Sequence, residues 1–173
     1  MTPKECLTGT DRIAEVSSQI EATFYINVQG DEPLIDIEAV NQLGDFMHAN
    51  KYKYGTIAQH FSSNTDLLDP NKVKVVLNDD NSAIEFFRDA PIVVKDFSKV
   101  VLHHVGIYAY QVDFLHTFAG LCKTKNELNL KLEQMRALDN ALPLHVLELN
   151  LDESWGIDTE EDLIRLRKHL ELN

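Results

Sequence analysis

Cysteine and long apolar runs are scarce in this sequence. The chain of 173 residues has 2 cysteines, Cys6 and Cys122, and they show no CxxC spacing. Such isolated cysteines do not make a disulfide framework, so we expect reduced thiols and a cytoplasmic protein. No apolar run approaches the ~20 residues that a membrane-spanning helix needs. The opening segment MTPKECLTGTDR lacks the apolar core of a signal peptide.

Positive charge is also in short supply. The chain has 16 lysines and arginines against 28 acidic residues, which gives a formal net charge of -12. This field opposes nucleic-acid backbones and anionic membrane surfaces, so we expect neither as a partner. An acidic protein that handles a phosphate ligand needs local basic residues or a metal ion.

The remaining composition is that of a folded domain. Apolar residues make up 44% of the chain and charged residues 25%, enough for a sizeable core and too apolar for wholesale disorder. The length suits one domain, and no repeat or linker interrupts it. We therefore expect residues 1–173 to form a single domain.

Two kinds of apolar periodicity alternate along the chain. Helical spacing predicts helices over 10–20, from an Asp36 cap onward, over 111–121, over 126–141, and from a Thr159 capping box onward. Strand-like patterns cover 23–29, 54–60, 73–78, 82–88, 100–110 and 144–150. Helices and strands alternate at both ends around an antiparallel-looking block. This order predicts an open α/β sheet with an inserted or appended β region.

Carboxylates follow two of the predicted strands. Asp31 comes after the strand at 23–29, where Gly30 permits a turn and leaves room for a ligand, and Asp158 follows Gly156 after the last strand. Ligands of open α/β sheets bind at the carboxyl ends of strands, and Mg²⁺ is commonly held there by one or two carboxylates. The competing interpretation is that each acid is a helix cap or a solvated loop residue. Spacing alone favours that interpretation, because sequence separation says nothing about spatial approach.

Several motifs, in order, resemble those of the 3-deoxy-manno-octulosonate cytidylyltransferases, or CMP-KDO synthetases. The resemblance covers nearly all of the chain, and the motifs together are highly specific. They are TGTDRIAEV (8–16), NVQGDEPLI (27–35), PNKVKVVLNDDNSAIEFFRDAPI (70–92), HVGIYAY (104–110), LEQMRAL (132–138) and GIDTEEDL (156–163).

The resemblance implies a fold and a reaction. The fold is a Rossmann-like nucleotide-diphospho-sugar transferase fold, a mixed sheet with helices on both faces and a β-rich region for sugar binding and dimerisation. The reaction couples CTP to the anomeric hydroxyl of 3-deoxy-D-manno-octulosonate (KDO) and releases pyrophosphate, for lipopolysaccharide biosynthesis. The family also implies Mg²⁺ and a homodimer.

The resemblance further assigns roles to individual residues. Asp31 and Asp158 match the magnesium ligands, and Arg88 matches an arginine that lies against the sugar acid. These three are the expected catalytic residues. The expected substrate-binding residues are Thr8, Gly9 and Thr10 near cytosine and ribose, Gln29 and Gly30 in the nucleotide loop, and His104, Tyr108, Glu133 and Gln134 in the sugar pocket.

Residue type alone favours plainer interpretations of several of these positions. His104 would be a hydrogen-bonded core histidine. Glu133 and Gln134 would belong to a solvated helix face, and Arg88 would be a surface arginine at a strand end. With the resemblance, an arginine for the carboxylate and amide or acid groups for hydroxyls suit a polyhydroxylated sugar acid.

The family's basic N-terminal phosphate loop has no counterpart in this sequence. We therefore expect the chain to correspond to the C-terminal two-thirds of the family, as a late-start gene product, a fragment or a short form. Such a chain would leave the edge of the strand at 23–29 open and have far less than family activity.

Smaller departures from the family pattern bear on the substrate. Cys6, Phe87, Val93 and His103 differ from the residues usual at their positions, which leaves open a related keto-sugar acid as substrate. Two hypotheses from different classes stay open beside the cytidylyltransferase. One is a non-catalytic binding remnant or partner subunit, and the second is a different Mg-dependent sugar nucleotidyltransferase.

Overall fold

The computed structural model describes residues 2–6, 8–31, 33–61, 63–89, 100–151, 157 and 159–171. Within this part of the chain the helices are α1 (Gly9–Ser17), α2 (Ile37–Asn50), α3 (Asn64–Leu68), α4 (Val112–Ala119), α5 (Lys125–Leu130), α6 (Met135–Asp139) and α7 (Glu160–Glu171). The strands are β1 (Phe24–Asn27), β2 (Tyr54–Gln59), β3 (Lys74–Leu77), β4 (Ala83–Phe87), β5 (Val101–Gln111) and β6 (His145–Glu148).

The strands form one mixed sheet around the long strand β5. The order is β4-β3-β5-β2-β6, and β1 also pairs with β5. One edge of β5 carries β2, while β3 and β1 lie end to end along the other edge, against its N-terminal and C-terminal parts. Within the described residues, the β2–β6 pair is parallel and the remaining pairs are antiparallel. The mixed sheet predicted for this chain is confirmed.

The hairpin of β3 and β4 reaches across to the far end of the sheet. The amide of Ala83 donates to the carbonyl of Leu144 at 2.8 Å, and the amide of Val146 donates to the carbonyl of Asn81 at 2.9 Å. The start of β4 therefore meets the start of β6 through an isolated bridge between Ser82 and His145. Nothing in the sequence pattern predicted this contact.

Side chains alternate between two cores on the two faces of the sheet. Tyr110 of β5 faces a cluster shared with α4 and α6, whereas Ala109 faces a second cluster built with α2. The period-2 alternation of a strand sends neighbouring residues to opposite faces. Helices therefore cover both faces, as the predicted fold requires.

The predicted caps are present at the starts of two helices, α2 and α7. The Asp36 side chain accepts a hydrogen bond from the amide of Glu38 and caps α2. The Thr159 hydroxyl accepts from the amide of Asp162, whose carboxylate accepts from the amide of Thr159, so the predicted capping box is present at α7. Caps depend only on neighbouring residues, which explains why the sequence predicts them well.

The prediction of one continuous helix over 126–141 is wrong. Helix α5 ends at Leu130 and is capped by Lys131, whose backbone is left-handed with φ 54°, and α6 begins only at Met135. Leu128, which a continuous helix would place on the same apolar face as Leu132, is 60% exposed. The apolar spacing persists because the turn between the helices folds Leu132 back into the core. In α7 the apolar spacing predicts Leu170 on the inner face with Leu166, and this prediction is wrong, since Leu170 is largely exposed.

No helix within the described residues combines the length and the apolar character that crossing a membrane requires. The single-domain organisation stays a prediction.

Candidate functional site

A cleft of about 1430 Å³ gathers side chains from distant parts of the chain. The walls include residues after β1 and β2, the middle of β5, and the turn between α5 and α6. Of the residues predicted to form the site, the cleft is lined by Gly9, Gln29, Asp31, Arg88, His104, Tyr108, Glu133 and Gln134. Thr8, Thr10 and Gly30 are not among the lining residues, and Asp158 lies outside the described residues.

Asp31 lies at the mouth of this cleft, just beyond β1. Its side chain is exposed, and among the described residues no hydrogen bond or ion pair reaches its carboxylate. The amide of Ile157 donates to the main-chain carbonyl of Asp31 at 2.9 Å. This bond brings Ile157, which precedes α7 in sequence, alongside Asp31. An unengaged carboxylate facing a cleft is a suitable hard oxygen ligand for Mg²⁺.

Gly30, next to Asp31, does not need to be glycine for its backbone conformation. No glycine in the described residues has a positive φ, and a Cβ added at Gly30 would meet nothing within 4 Å. Gly9 at the start of α1 is different, because a Cβ there would lie 2.9 Å from the side-chain amide of Asn27. The close approach at Gly9 thus depends on glycine, and the turn at Gly30 does not.

The threonines on either side of Gly9 make structural contacts. The Thr8 hydroxyl accepts a hydrogen bond from the Asp11 amide at 3.1 Å and caps α1, and the Asp11 carboxylate accepts from the Thr8 amide at 3.0 Å. Thr10 is buried, with its hydroxyl 2.9 Å from Oε2 of Glu133 and 3.2 Å from the hydroxyl of Tyr110. Direct contact of Thr8 and Thr10 with a nucleotide stays a prediction.

Glu133 and Gln134 lie in the turn before α6, not on a solvated helix face. Oε1 of Glu133 accepts from Arg136 at 3.1 Å. Gln134 is 2% exposed, and its Oε1 accepts from the Tyr108 hydroxyl at 3.1 Å. Within the described residues its Nε2 has no hydrogen-bond partner. A buried amide donor without a partner is costly in a folded protein, so this N–H group suits a ligand in the cleft.

His104 is both a core histidine and part of the cleft wall. Its Nε2 lies 3.0 Å from the Thr56 hydroxyl, and its ring packs edge-on to Phe86. Burial, together with the nearby charge of His103, lowers the pKa of His104 to about 3. Neutral pH therefore leaves the imidazole uncharged, so it offers a hydrogen bond to a ligand but no positive charge.

Arg88 is held at the cleft by main-chain contacts. Its Nε donates to the carbonyl of Leu130 at 2.9 Å, and its Nη1 donates to the carbonyl of Pro70 at 3.3 Å. The buried Lys74 donates through Nζ to the carbonyls of Asp69 and Arg88, at 2.5 Å and 2.6 Å. Burial lowers the pKa of Lys74, and Asp69 and Asp89 offset part of that shift. Arg88 is thus anchored at both its backbone and its guanidinium.

The sequence reasoning overlooked several residues of the site. Lys72, Lys131 and Arg165 also line the cleft, beside the acids Asp66, Asp69 and Asp162, and Lys72 Nζ lies 3.1 Å from the Asp66 carboxylate. The Thr56 hydroxyl is within hydrogen-bond distance of His104 Nε2, and Lys74 Nζ donates to the main-chain carbonyl of Arg88. The one available signal was Lys74 itself, a lysine inside an otherwise apolar strand.

Comparisons with known proteins agree with this geometry. A family model described as cytidylyltransferase matches residues 1–147. The 3-deoxy-manno-octulosonate cytidylyltransferase of Trichlorobacter lovleyi is 39% identical over 98% of this chain and 72% of that protein. The protein of the same name from Syntrophotalea carbinolica is 40% identical over 98% of this chain and 72% of its own length.

A solved structure is also similar to this chain. It is described as CMP:2-keto-3-deoxy-manno-octonic acid synthetase complexed with CTP. The chain superposes on it with a TM-score of 0.89 at 32% identity, over 99% of this chain and 71% of that one.

Proposed function

The chain belongs to the 3-deoxy-manno-octulosonate cytidylyltransferase family, and from this premise we propose that it transfers CMP from CTP to KDO. The anomeric hydroxyl of the sugar acid attacks the α-phosphate of CTP. The hydroxyl loses its proton to water as its oxygen bonds to the α-phosphorus, the bond to the β-phosphate oxygen breaks, and pyrophosphate leaves. The proposal rests on one observation: residues of the sequence motifs, from Gly9 to Gln134, line the same cleft.

The sugar acid would occupy the part of the cleft between Arg88 and the turn before α6. Arg88 supplies a guanidinium for the carboxylate of the sugar acid. A planar guanidinium suits this group because it can donate two parallel hydrogen bonds to a carboxylate. Glu133 supplies acceptor oxygens and Gln134 a donor that no described residue engages, so the two neighbours suit sugar hydroxyls. His104 and Tyr108 close the wall behind them.

The nucleotide would lie on the side of Gly9 and Gln29. Both residues line the cleft, and the absence of a side chain at Gly9 leaves room for the side-chain amide of Asn27 beside the start of α1. Lys72, Lys131 and Arg165 would contribute positive charge for the phosphates, with Lys72 exchanging its ion pair with Asp66 for a phosphate. Because charge builds on phosphate oxygens during transfer, positioning and cations contribute most of the catalysis.

We propose Mg²⁺ as the cofactor, held by Asp31 together with Asp158. The unengaged Asp31 carboxylate supports this assignment, and so does its main-chain bond to Ile157, the residue before Asp158. When bound, Mg²⁺ would neutralise phosphate charge and polarise the phosphoryl group. The role of Asp31 is to present its oxygens at the mouth of the cleft beside the nucleotide.

We further propose a homodimer formed through the β-rich middle of the chain, acting in the cytoplasm for lipopolysaccharide biosynthesis. In the described part of the sheet β4 pairs only with β3 along its length, and Ile84 on it is 41% exposed. An apolar residue on an outer strand suits contact with a second copy. Sedimentation equilibrium tests this state, and a monomer at micromolar concentrations would contradict it.

The function is tested by mixing the protein with CTP, KDO and MgCl₂ and following pyrophosphate release, with CMP-KDO identified by mass spectrometry. We expect turnover that needs both substrates and the divalent metal. Thermal stabilisation by CTP, UTP and ATP gives a second readout, with CTP expected to stabilise most. Stabilisation without pyrophosphate release would favour a binding protein without catalysis. Turnover of another keto-sugar acid alone would correct the substrate.

A further inference from the structure

Each oxygen of the Glu133 carboxylate accepts a hydrogen bond from a neighbouring side chain. Arg136 donates through Nη2 to Oε1 at 3.1 Å, and the Thr10 hydroxyl donates to Oε2 at 2.9 Å. The side chain is still 28% exposed, on the wall of the cleft. Glu133 therefore keeps lone pairs for a ligand while both of its oxygens are fixed in place.

Arg136 is itself immobilised. It is 2% exposed, its Nε and Nη2 donate to the two carboxylate oxygens of Glu127 at 2.8 Å and 2.5 Å, and its guanidinium lies 5.0 Å from the ring centre of Phe118. The hydrogen bond from Arg136 to Glu127 raises the pKa of Arg136, so the cation is kept at every working pH. A paired, stacked and buried guanidinium has one orientation, and in that orientation Nη2 points to Glu133.

Stability alone does not account for this arrangement. Well-packed apolar side chains commonly serve a buried site as well as an ion pair, because burying charges carries a large desolvation cost. What an apolar pair would lack is the donor that reaches Glu133. The same reasoning applies to Thr10. Valine would fill the same space, but it would lack the hydroxyl that donates to Glu133.

The side chain of the neighbouring Gln134 is also oriented by a hydrogen bond, but it presents a donor to the cleft instead of an acceptor. Tyr108 donates to its Oε1, so its Nε2 is left as a donor without a partner in the described residues. An oriented acceptor at Glu133 thus stands next to an oriented donor at Gln134. Such a pair can distinguish hydroxyl arrangements, because a site built to hydrogen-bond a hydroxyl rejects analogues that lack it.

We propose that Arg136 is a positioning residue for recognition of the sugar substrate: with Thr10 it fixes the Glu133 carboxylate so that the carboxylate accepts the substrate hydroxyls in one geometry. The inference rests on the proposed function, because it takes a polyhydroxylated sugar acid as the ligand. It adds Arg136, which does not line the cleft but determines which sugar is bound.

A double-mutant cycle tests whether Arg136 acts through Glu133. The paired variant E127L/R136M removes the ion pair without leaving a buried carboxylate unpaired. It is compared with E133Q, with the triple variant E127L/R136M/E133Q, with T10V, and with R167M as an exposed arginine control on α7. For each protein the KDO dissociation constant is measured by titration calorimetry, and KM is measured separately for KDO and CTP.

For the paired variant we expect the KDO dissociation constant and KM to rise roughly 10- to 100-fold, as for the loss of a hydrogen bond to a charged group. The KM for CTP should stay within about twofold, since the affected contacts are on the sugar side. T10V should raise the KM for KDO in the same direction, and R167M should leave both constants unchanged. In the E133Q background the paired change should add no more than about threefold.

The inference is overturned if the paired change raises the KDO constants equally with and without Glu133, because Arg136 would then act by another route. A rise in the KM for CTP with none for KDO would also overturn it. If the wild-type protein neither binds nor consumes KDO, the proposed function itself fails, and that result is visible before any variant is made. Thermal melting of each variant separates loss of fold from loss of affinity.

Discussion

The main-chain amide of Ile157 donates to the main-chain carbonyl of Asp31 at 2.9 Å, joining residues that are far apart in sequence. The bond ties Asp31, just after β1, to Ile157, which follows β6 in sequence. Both residues follow strands of the same sheet, and open α/β sheets bind ligands at the carboxyl ends of their strands. Asp31 consequently has a fixed backbone while its carboxylate stays available at the cleft.

Replacing Asp31 by asparagine should abolish metal-dependent turnover. Asparagine keeps the size but removes the negative charge, so we expect kcat/KM to fall by about 100-fold or more. The melting temperature should stay near that of the wild type, because the side chain is exposed. D45N, an equally exposed acid on α2, is the matched control and should keep full activity. Normal activity and magnesium dependence in D31N would remove Asp31 from the metal site.

Replacing Arg88 by lysine should affect the sugar acid more than the nucleotide. Lysine retains the charge but loses the planar fork and the bonds to Leu130 and Pro70. We expect the KM for KDO to rise about 10-fold or more, with the KM for CTP nearly unchanged. R12K on α1 serves as the control. Equal rises in both KM values would argue against a specific contact between Arg88 and the sugar carboxylate.

His104 should make the protein sensitive to mild acid. Its pKa is about 3 in the folded state and 6.5 is the ordinary value, so between these values the unfolded chain binds the extra proton. The free energy of unfolding should therefore be unaffected by this group above pH 7 and should fall as the pH drops. The expected loss at pH 5 is roughly 2 kcal/mol.

Urea denaturation at pH 7 and pH 5 measures that loss. H104Q should show a smaller difference between the two pH values than the wild type, whatever its stability at pH 7. H48Q, which replaces an exposed histidine of α2, should reproduce the wild-type difference. If H104Q loses as much stability as the wild type on acidification, other groups are responsible.

Alanine should be harmful at Gly9 and tolerated at Gly30. A Cβ at Gly9 would press on the side-chain amide of buried Asn27, at 2.9 Å, at the wall of the cleft. A Cβ at Gly30 meets no atom within 4 Å. We expect G9A to reduce kcat/KM for CTP about 10-fold and G30A to change it less than about threefold. The reverse order would show that the turn after β1, not the start of α1, needs glycine for the ligand.

The sequence was reliable wherever structure depends on near neighbours. The Asp36 cap and the Thr159 capping box involve contacts within a few residues, and both are present. It failed over 126–141, where the apolar spacing fits a helix but the chain breaks at Lys131. The spacing of apolar residues does not reveal this break, because a turn that packs on the same core keeps the same spacing.

By itself, the sequence determined the family, the mixed α/β sheet and the types of side chain available to a sugar acid and a nucleotide. Only the tertiary structure decided how these side chains act. It buried Thr10 with its hydroxyl against Glu133, and it placed the Lys74 ammonium group on the main-chain carbonyl of Arg88. The physical reason is that the identity of a side chain is local, whereas its hydrogen-bond partners depend on which distant segments the fold packs against it.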